Sequence, residues 1–208
     1  MGLENAYFGM QCFWGESVFA KLKGVHNTRV GYAGGKTKNP TYKGIADHTE
    51  VTEVKFDPSV LSYRELVDFF WSHHDPVGPR KKQYQSAILY ANDEQKKARR
   101  IAEETKQREE KKHEDIETYI EPIDVFYQAE DYHQKYWLRC KRDIFESLHL
   151  TDEQVADSLL ATKLNAYAAG YTDFSELEQL KKEHNLSDEL VKKIHDFALA
   201  GGDPRNCH

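Results

Sequence analysis

The chain has 208 residues and three cysteines, Cys12, Cys140 and Cys207. Of these, Cys12 sits where a thiol can do chemistry. It lies in Gln11-Cys12-Phe13-Trp14-Gly15, between a short aromatic run that reads as a strand and a segment with helical spacing. A thiol in the first turn of a helix faces unpaired backbone N–H groups and the positive end of the helix dipole, and both favour the thiolate. Phe13 and Trp14 follow directly and could line an apolar pocket beside the sulfur. The same residues also suit a small buried thiol flanked by core aromatics, because free cysteine is among the most buried residue types. On their own, Glu50 at a strand start reads as a solvated carboxylate, and Tyr42 and Tyr84 as ordinary half-buried aromatics. His73, His74 and Asp75 are adjacent at a helix end and do not converge on one ion, so no metal is expected.

The elements that must position these groups follow from the pattern. Strands are predicted at 5–10, 25–33, 50–56 and 83–90, and a broken, edge-like strand at 116–126 with its break at Pro122. Helices are predicted at 12–22, 62–73, 93–113 and 129–148. Residues 34–49 form a long loop rich in Gly, Asn, Pro and Thr, and loops of that length are often functional. Ser62 with Glu65, Thr151 with Gln154 and Ser175 with Glu178 have capping-box spacing. Helices are predicted at 151–168, 175–183 and 187–199. The fold class is therefore α+β, with a core over 1–150 and a helical C-terminal extension over 151–208.

Composition excludes several functions. Twenty-nine Lys and Arg against 35 Asp and Glu give a net charge of −6, which argues against a nucleic-acid binder. The acidity belongs to residues 151–208, which hold 6 basic and 11 acidic side chains. No apolar run approaches a membrane span, and the N-terminus lacks the pattern of a secretory signal. An odd, sparse cysteine count with no Cys-X-X-Cys pair suggests a reducing compartment, so a cytoplasmic location is expected.

The motifs CFWG at 12–15, VGYAGG at 30–35, NPTY at 39–42, HTE at 48–50, HDP at 74–76, QYQSAI at 83–88 and AEDYHQ at 129–134 run in one order. Together they resemble the class A peptide methionine sulfoxide reductases. The resemblance implies a two-layer α/β plait (ferredoxin-like) core and the reduction of methionine S-sulfoxide, free or in peptides, with no cofactor. It implies that Cys12 attacks the sulfoxide sulfur and that Phe13 and Trp14 cradle the substrate methyl group. Glu50 would protonate the sulfoxide oxygen, and Tyr42 and Tyr84 would donate hydrogen bonds to it. His74, Asp75, Glu130, Asp131 and His133 would support the pocket from behind. The product on Cys12 would be a sulfenic acid, which a thioredoxin-like or glutaredoxin-like protein would recycle. Two alternatives remain at this point, another thiol peroxidase or redox sensor built on Cys12, and a non-catalytic interaction protein.

Two departures from the family pattern stand out. The segment between HDP and QYQSAI is short and holds Arg80, Lys81 and Lys82 but no acid, which predicts a preference for acidic peptides. The usual Gly-rich tail with resolving cysteines does not follow AEDYHQ. Cys140 falls inside a predicted helix and reads as structural, whereas Cys207, in the tail GGDPRNCH, is the predicted resolving thiol. The competing scheme is a one-cysteine mechanism in which an external thiol reduces Cys12.

Overall fold

The computed structural model describes residues 2–10, 12–91, 103–108, 110 and 116–201. Cys12 and Phe13 are described only as residues of their helix. Most of the predicted helix at 93–113 lies outside the described residues, and 103–108 is helical.

Strand β1 (Glu4–Gly9) leads into helix α1 (Cys12–Ala20), then β2 (Val25–Ala33), β3 (Thr49–Phe56), α2 (Tyr63–Ser72) and β4 (Ala87–Tyr90). These four strands lie in the order β4-β1-β3-β2 and pair antiparallel throughout. A β-α-β-β-α-β chain in that order is the two-layer plait. Alternation along the strands sends Ala6, Phe8, Val54, Phe56 and Ile88 to one face, where Val18 and Phe19 of α1 and Leu66, Val67 and Phe70 of α2 cover them. Tyr7, Ala33, Val51 and Leu89 form a second cluster with Tyr119, Ile123 and Phe126. Two short strands extend the sheet at its edges. β5 (Tyr119–Pro122) pairs parallel with β4, and β6 (Tyr127–Gln128) pairs antiparallel with β2. The edge position predicted for the Pro122 segment is thus observed, in a shorter strand.

The chain then turns through a 3-10 segment, Asp131–His133, into α3 (Tyr136–Cys140) and α4 (Arg142–Ser147). The single helix expected at 129–148 is broken because Lys135 takes φ 54, a left-handed conformation that no α-helix accommodates. The helix expected at 151–168 is also two, α5 (Asp152–Asp157) and α6 (Leu159–Ala168). Ser158 leaves the helical region and caps the second through Ala161 N–H, at 3.0 Å. Helices α7 (Leu177–Glu183) and α8 (Asp188–Leu199) complete the described chain. Capping boxes form at Ser62/Glu65 and Thr151/Gln154. None forms at Ser175, whose N–H instead donates to Asp173 Oδ1 at 3.0 Å. The helical core draws Leu138 and Ile144 into one cluster with Val155, Leu160, Leu164, Leu177, Leu180 and Ile194.

The extension is joined to the plait through polar groups that are themselves buried. Lys135 and Glu16 are each 0% exposed, and their charged atoms lie 3.2 Å apart. The Lys135 ammonium also donates to Thr28 O and to Ala156 O (3.1 Å), while the Lys135 N–H donates to Glu16 Oε2 at 2.9 Å. Thr28 Oγ1 donates to the other Glu16 oxygen at 3.2 Å. Burial pushes the Lys135 ammonium below its ordinary pKa, and the Glu16 carboxylate opposes that shift. Nearby, Thr162 Oγ1 donates to Asn27 Oδ1 at 2.9 Å, and the Lys163 ammonium donates to Leu22 O at 2.7 Å. Removing one member of a buried pair leaves the other charge uncompensated, at a cost of about 3–5 kcal/mol. Lys135→Met should therefore lower the urea-unfolding free energy by that order, and Glu16→Gln in the same chain should restore part of it. A loss below about 1 kcal/mol in the single variant would show that the pair is not a fixed element of the fold.

Candidate functional site

Cys12 opens helix α1, three residues after β1 ends at Gly9. The junction is tight. A Cβ built on Gly15 would lie 3.2 Å from Thr52 Oγ1 and 3.4 Å from Met10 Cβ, so glycine lets the first turn of α1 lie against β3. Met10 and Thr52 are also walls of a cleft, together with Val30, Gly31, Tyr32, Tyr42, Glu50, Val51, Ala129 and His133. The sheet register explains this set. Tyr32 pairs directly with Glu50, and Val30 with Thr52, so the four side chains share one face of the sheet.

Glu50 is half-buried, and the Gln83 amide donates to its Oε1 at 2.6 Å. Gln83 lies in a 3-10 turn, Lys82–Tyr84, so the strand predicted over 83–90 begins only at Ala87. Thr49 fastens that turn to β3 by donating to Lys82 O at 2.8 Å, and it accepts from Tyr119 Oη at 2.8 Å. The loop at 34–48 is held at its stem by two side chains. Asp47 accepts from the N–H groups of Lys36 (2.7 Å) and Thr37 (3.2 Å). Buried His48 bonds Gly35 N–H through Nδ1 at 3.2 Å and Thr37 O through Nε2 at 2.7 Å. At the tip, Tyr42 is 38% exposed, and its ring packs 4.7 Å from that of His133.

The remaining wall comes from residues 129–134. Tyr32 Oη donates to Glu130 Oε2 at 2.6 Å, and Tyr42 N–H donates to Glu130 Oε1 at 2.9 Å. Burial and the Glu130 carboxylate push the Tyr32 phenol far above its usual pKa, so it stays a donor. Burial lowers the His133 pKa, against the pull of Glu130. Gln134 fixes the segment to β2. Its amide donates to Val30 O (2.8 Å) and Ala129 O (3.0 Å), and its oxygen accepts from Val30 N–H at 3.0 Å.

The structure brings Tyr42, Glu50 and His133 into one cleft, with Glu130 behind them. The other predicted residues are not among the cleft walls described. Trp14 is half-buried against the main core, with its indole N–H buried and without a hydrogen-bond partner among the described residues. Tyr84 ends the 3-10 turn and is not among the cleft walls described. His74 bonds Phe70 O at 2.6 Å and Ser86 Oγ at 2.8 Å, locking the end of α2 to the start of β4. Asp75 is exposed and receives Val77 N–H at 3.0 Å, and Asp131 is also exposed. Two of the three basic residues at 80–82 are engaged outside the cleft. Arg80 reaches Asp75 at 3.7 Å, and the Lys82 ammonium lies 3.6 Å over the Tyr119 ring. Cys140, expected inside a helix as a structural thiol, is the last residue of α3 and is exposed, and Cys207 lies outside the described residues. Sequence reasoning missed Met10, Tyr32, Thr52 and Gln83. The alternation in Val30-Gly31-Tyr32, set against Glu50-Val51-Thr52, was the available signal for Tyr32 and Thr52.

The sequence model of the family described as peptide methionine sulfoxide reductase matches residues 4–165. A peptide methionine sulfoxide reductase of Drosophila melanogaster is 45% identical over 182 residues, covering 86% of this chain and 72% of that protein. One of Methanothermobacter thermautotrophicus is 49% identical over 149 residues, covering 64% of this chain and 85% of that protein. Among solved structures, reduced Mxr1 from Saccharomyces cerevisiae superposes with a TM-score of 0.61 at 30% identity, covering 68% of this chain and 87% of that one.

Burial holds the His74 pKa down to about 4, whereas the unfolded imidazole titrates near 6.5. Between those values the unfolded chain binds a proton that the native chain does not, so stability is present above pH 6.5 and is lost as pH falls toward 4. Lowering pH from 7 to 5 should cost about 2 kcal/mol through this group. His74→Asn should flatten that part of a urea-unfolding pH profile, and an unchanged slope would exclude His74 as its source.

Proposed function

Because the chain belongs to the peptide methionine sulfoxide reductase family, in which it reduces methionine sulfoxide to methionine, we propose that Cys12 is its nucleophile and Glu50 its acid. The observation that carries the assignment is the pairing of Glu50 with Tyr32 on adjacent strands, in a cleft whose wall at Met10 and Thr52 supports the first turn of α1. The Cys12 thiolate attacks the sulfoxide sulfur. Glu50 delivers a proton to the oxygen, and the Tyr42 hydroxyl donates a hydrogen bond to it as charge develops. With a second proton the oxygen leaves the substrate sulfur as water, which attacks the Cys12 sulfur, breaks its bond to the substrate and releases methionine and a proton, leaving a sulfenic acid on Cys12. Phe13 and Trp14 provide the apolar side that receives the methyl group, and Tyr84 is the second hydroxyl donor. The substrate is the S epimer, free or in peptides.

Regeneration needs two thiol equivalents. One condenses with the sulfenic acid to a disulfide and water, and the second restores the Cys12 thiol. We assign the first to Cys207, and two thiols of a thioredoxin-like or glutaredoxin-like reductant then reduce the Cys12–Cys207 disulfide and free both cysteines. The cysteine count and the exposed Cys140 thiol fit a reducing compartment, and a cytoplasmic site of action is proposed. Among the described residues, no helix is long and apolar enough to cross a membrane. Residues 1–150 carry the reaction, and 151–208 buttress α1 and β2 from outside.

With dithiothreitol as reductant, the protein should turn over the S-sulfoxide and leave the R-sulfoxide untouched. Cys12→Ser should abolish turnover, and an unchanged rate would refute the assignment. Glu50→Gln should lower kcat by about 10²-fold or more, as expected for loss of a general acid. Mass spectrometry after one turnover without reductant should find a Cys12–Cys207 disulfide. A persistent sulfenic acid, or a Cys12–Cys140 disulfide, would remove Cys207 from the scheme.

A further inference from the structure

Glu130 is half-buried behind the cleft and is not among the residues described as lining it. Its two carboxylate oxygens have different partners. One accepts from Tyr32 Oη on β2 at 2.6 Å, and the other accepts from the backbone N–H of Tyr42 at 2.9 Å. Tyr42 stands at the tip of the 34–48 loop, away from the stem bonds of Asp47 and His48. The tip is otherwise closed on itself, since Thr41 and Gly44 exchange backbone hydrogen bonds at 3.4 and 3.0 Å. Among the described residues, the Tyr42–Glu130 bond is the one hydrogen bond from residues 39–45 to another segment of the fold. Ile45 and Pro40 add only apolar burial.

We propose that Glu130 is a positioning residue that holds the Tyr42 loop over the cleft, using Tyr32 as the fixed post. Only an ionised carboxylate suits the place, because it must accept from a phenol and a backbone amide at once, and such charge-assisted bonds are short and directional. The anchor chain is continuous. β2 sets Tyr32, Tyr32 sets Glu130, and Glu130 sets the Tyr42 backbone and hence the reach of its hydroxyl. Gln134 and Lys135 hold the Glu130 segment to β2 and to α1, so the loop is indexed to the helix that begins with Cys12. The effect on turnover rests on the assignment of Tyr42 as an oxygen donor, and the clasp itself does not.

A double-mutant cycle with amide exchange tests both. The variants are Glu130→Ala, Glu130→Gln, Tyr42→Phe and Glu130→Ala with Tyr42→Phe, assayed on a methionine S-sulfoxide peptide with dithiothreitol. Hydrogen exchange at the Tyr42 amide should speed by about tenfold or more in Glu130→Ala and less in Glu130→Gln, whose side-chain oxygen still accepts one bond. Misplacing the hydroxyl by about an ångström should cost kcat/KM of order 10²-fold, the loss also expected of Tyr42→Phe. The double variant should then be no worse than Tyr42→Phe by more than about twofold, because both changes remove one interaction. Additive losses, or equal losses in Glu130→Gln and Glu130→Ala, would mean that Glu130 acts on the substrate directly and would overturn the positioning role. Unchanged exchange at Tyr42 would overturn the clasp. If Tyr42→Phe alone costs nothing, the donor assignment fails, and the exchange rates still decide the clasp.

Discussion

The buried pair of Glu16 and Lys135 is the constraint on which the rest of the molecule depends. Two charges at zero exposure are tolerated only where their remaining bonding capacity is filled. Here the carboxylate takes Thr28 Oγ1, the Lys135 N–H and the ammonium, while the ammonium takes the carbonyls of Thr28 and Ala156. Those partners come from α1, β2, the segment after β6, and α5. No two of these parts can slide relative to each other without stranding a charge. A hydrophobic contact would have held them together but would have allowed several offsets.

That fixed offset is what makes a cleft possible. The central strands place Tyr32 against Glu50 and Val30 against Thr52, a rigid floor set by backbone pairing. The other walls are a helix start, a loop and a 3-10 turn, none of which has its own ladder of hydrogen bonds. Each is tied by side chains instead. Gln134 and Glu130 tie the turn and the loop, Thr49 and Gln83 tie the segment at 82–84, and Gly15 lets α1 approach β3. The extension completes the arrangement from outside, through Thr162, Lys163 and Ala156.

The elements legible in the sequence were those with strong local causes. β1, β2, β3 and α2 showed alternation or helical spacing, and the boxes at Ser62 and Thr151 formed because capping is a local bond. What was not legible depended on distant partners. The helix at 129–148 breaks because Lys135 must turn inward to a carboxylate 119 residues away, and no local pattern signals that. Ser175 makes no cap, because its N–H is held by Asp173, two residues earlier, and the helix begins only at Leu177 with no side-chain cap. In the site, motif order alone singled out Tyr42, Glu50 and His133. His74, inside an equally clear motif, proved to bond Phe70 O and Ser86, because a sequence motif marks shared architecture as readily as shared chemistry.

The strand order has a consequence for how the chain comes together during synthesis. β1 is made first, yet it lies inside the sheet between β3 and β4, which end at Phe56 and Tyr90. Glu16 emerges early and stays without its counter-ion until Lys135 has left the ribosome, and the acceptor at Ala156 arrives later still. Loop closure over such separations is slow, and hydrophobic surface stays open meanwhile. The helix that begins with Cys12 therefore belongs to the part of the nascent chain that waits longest for its surroundings.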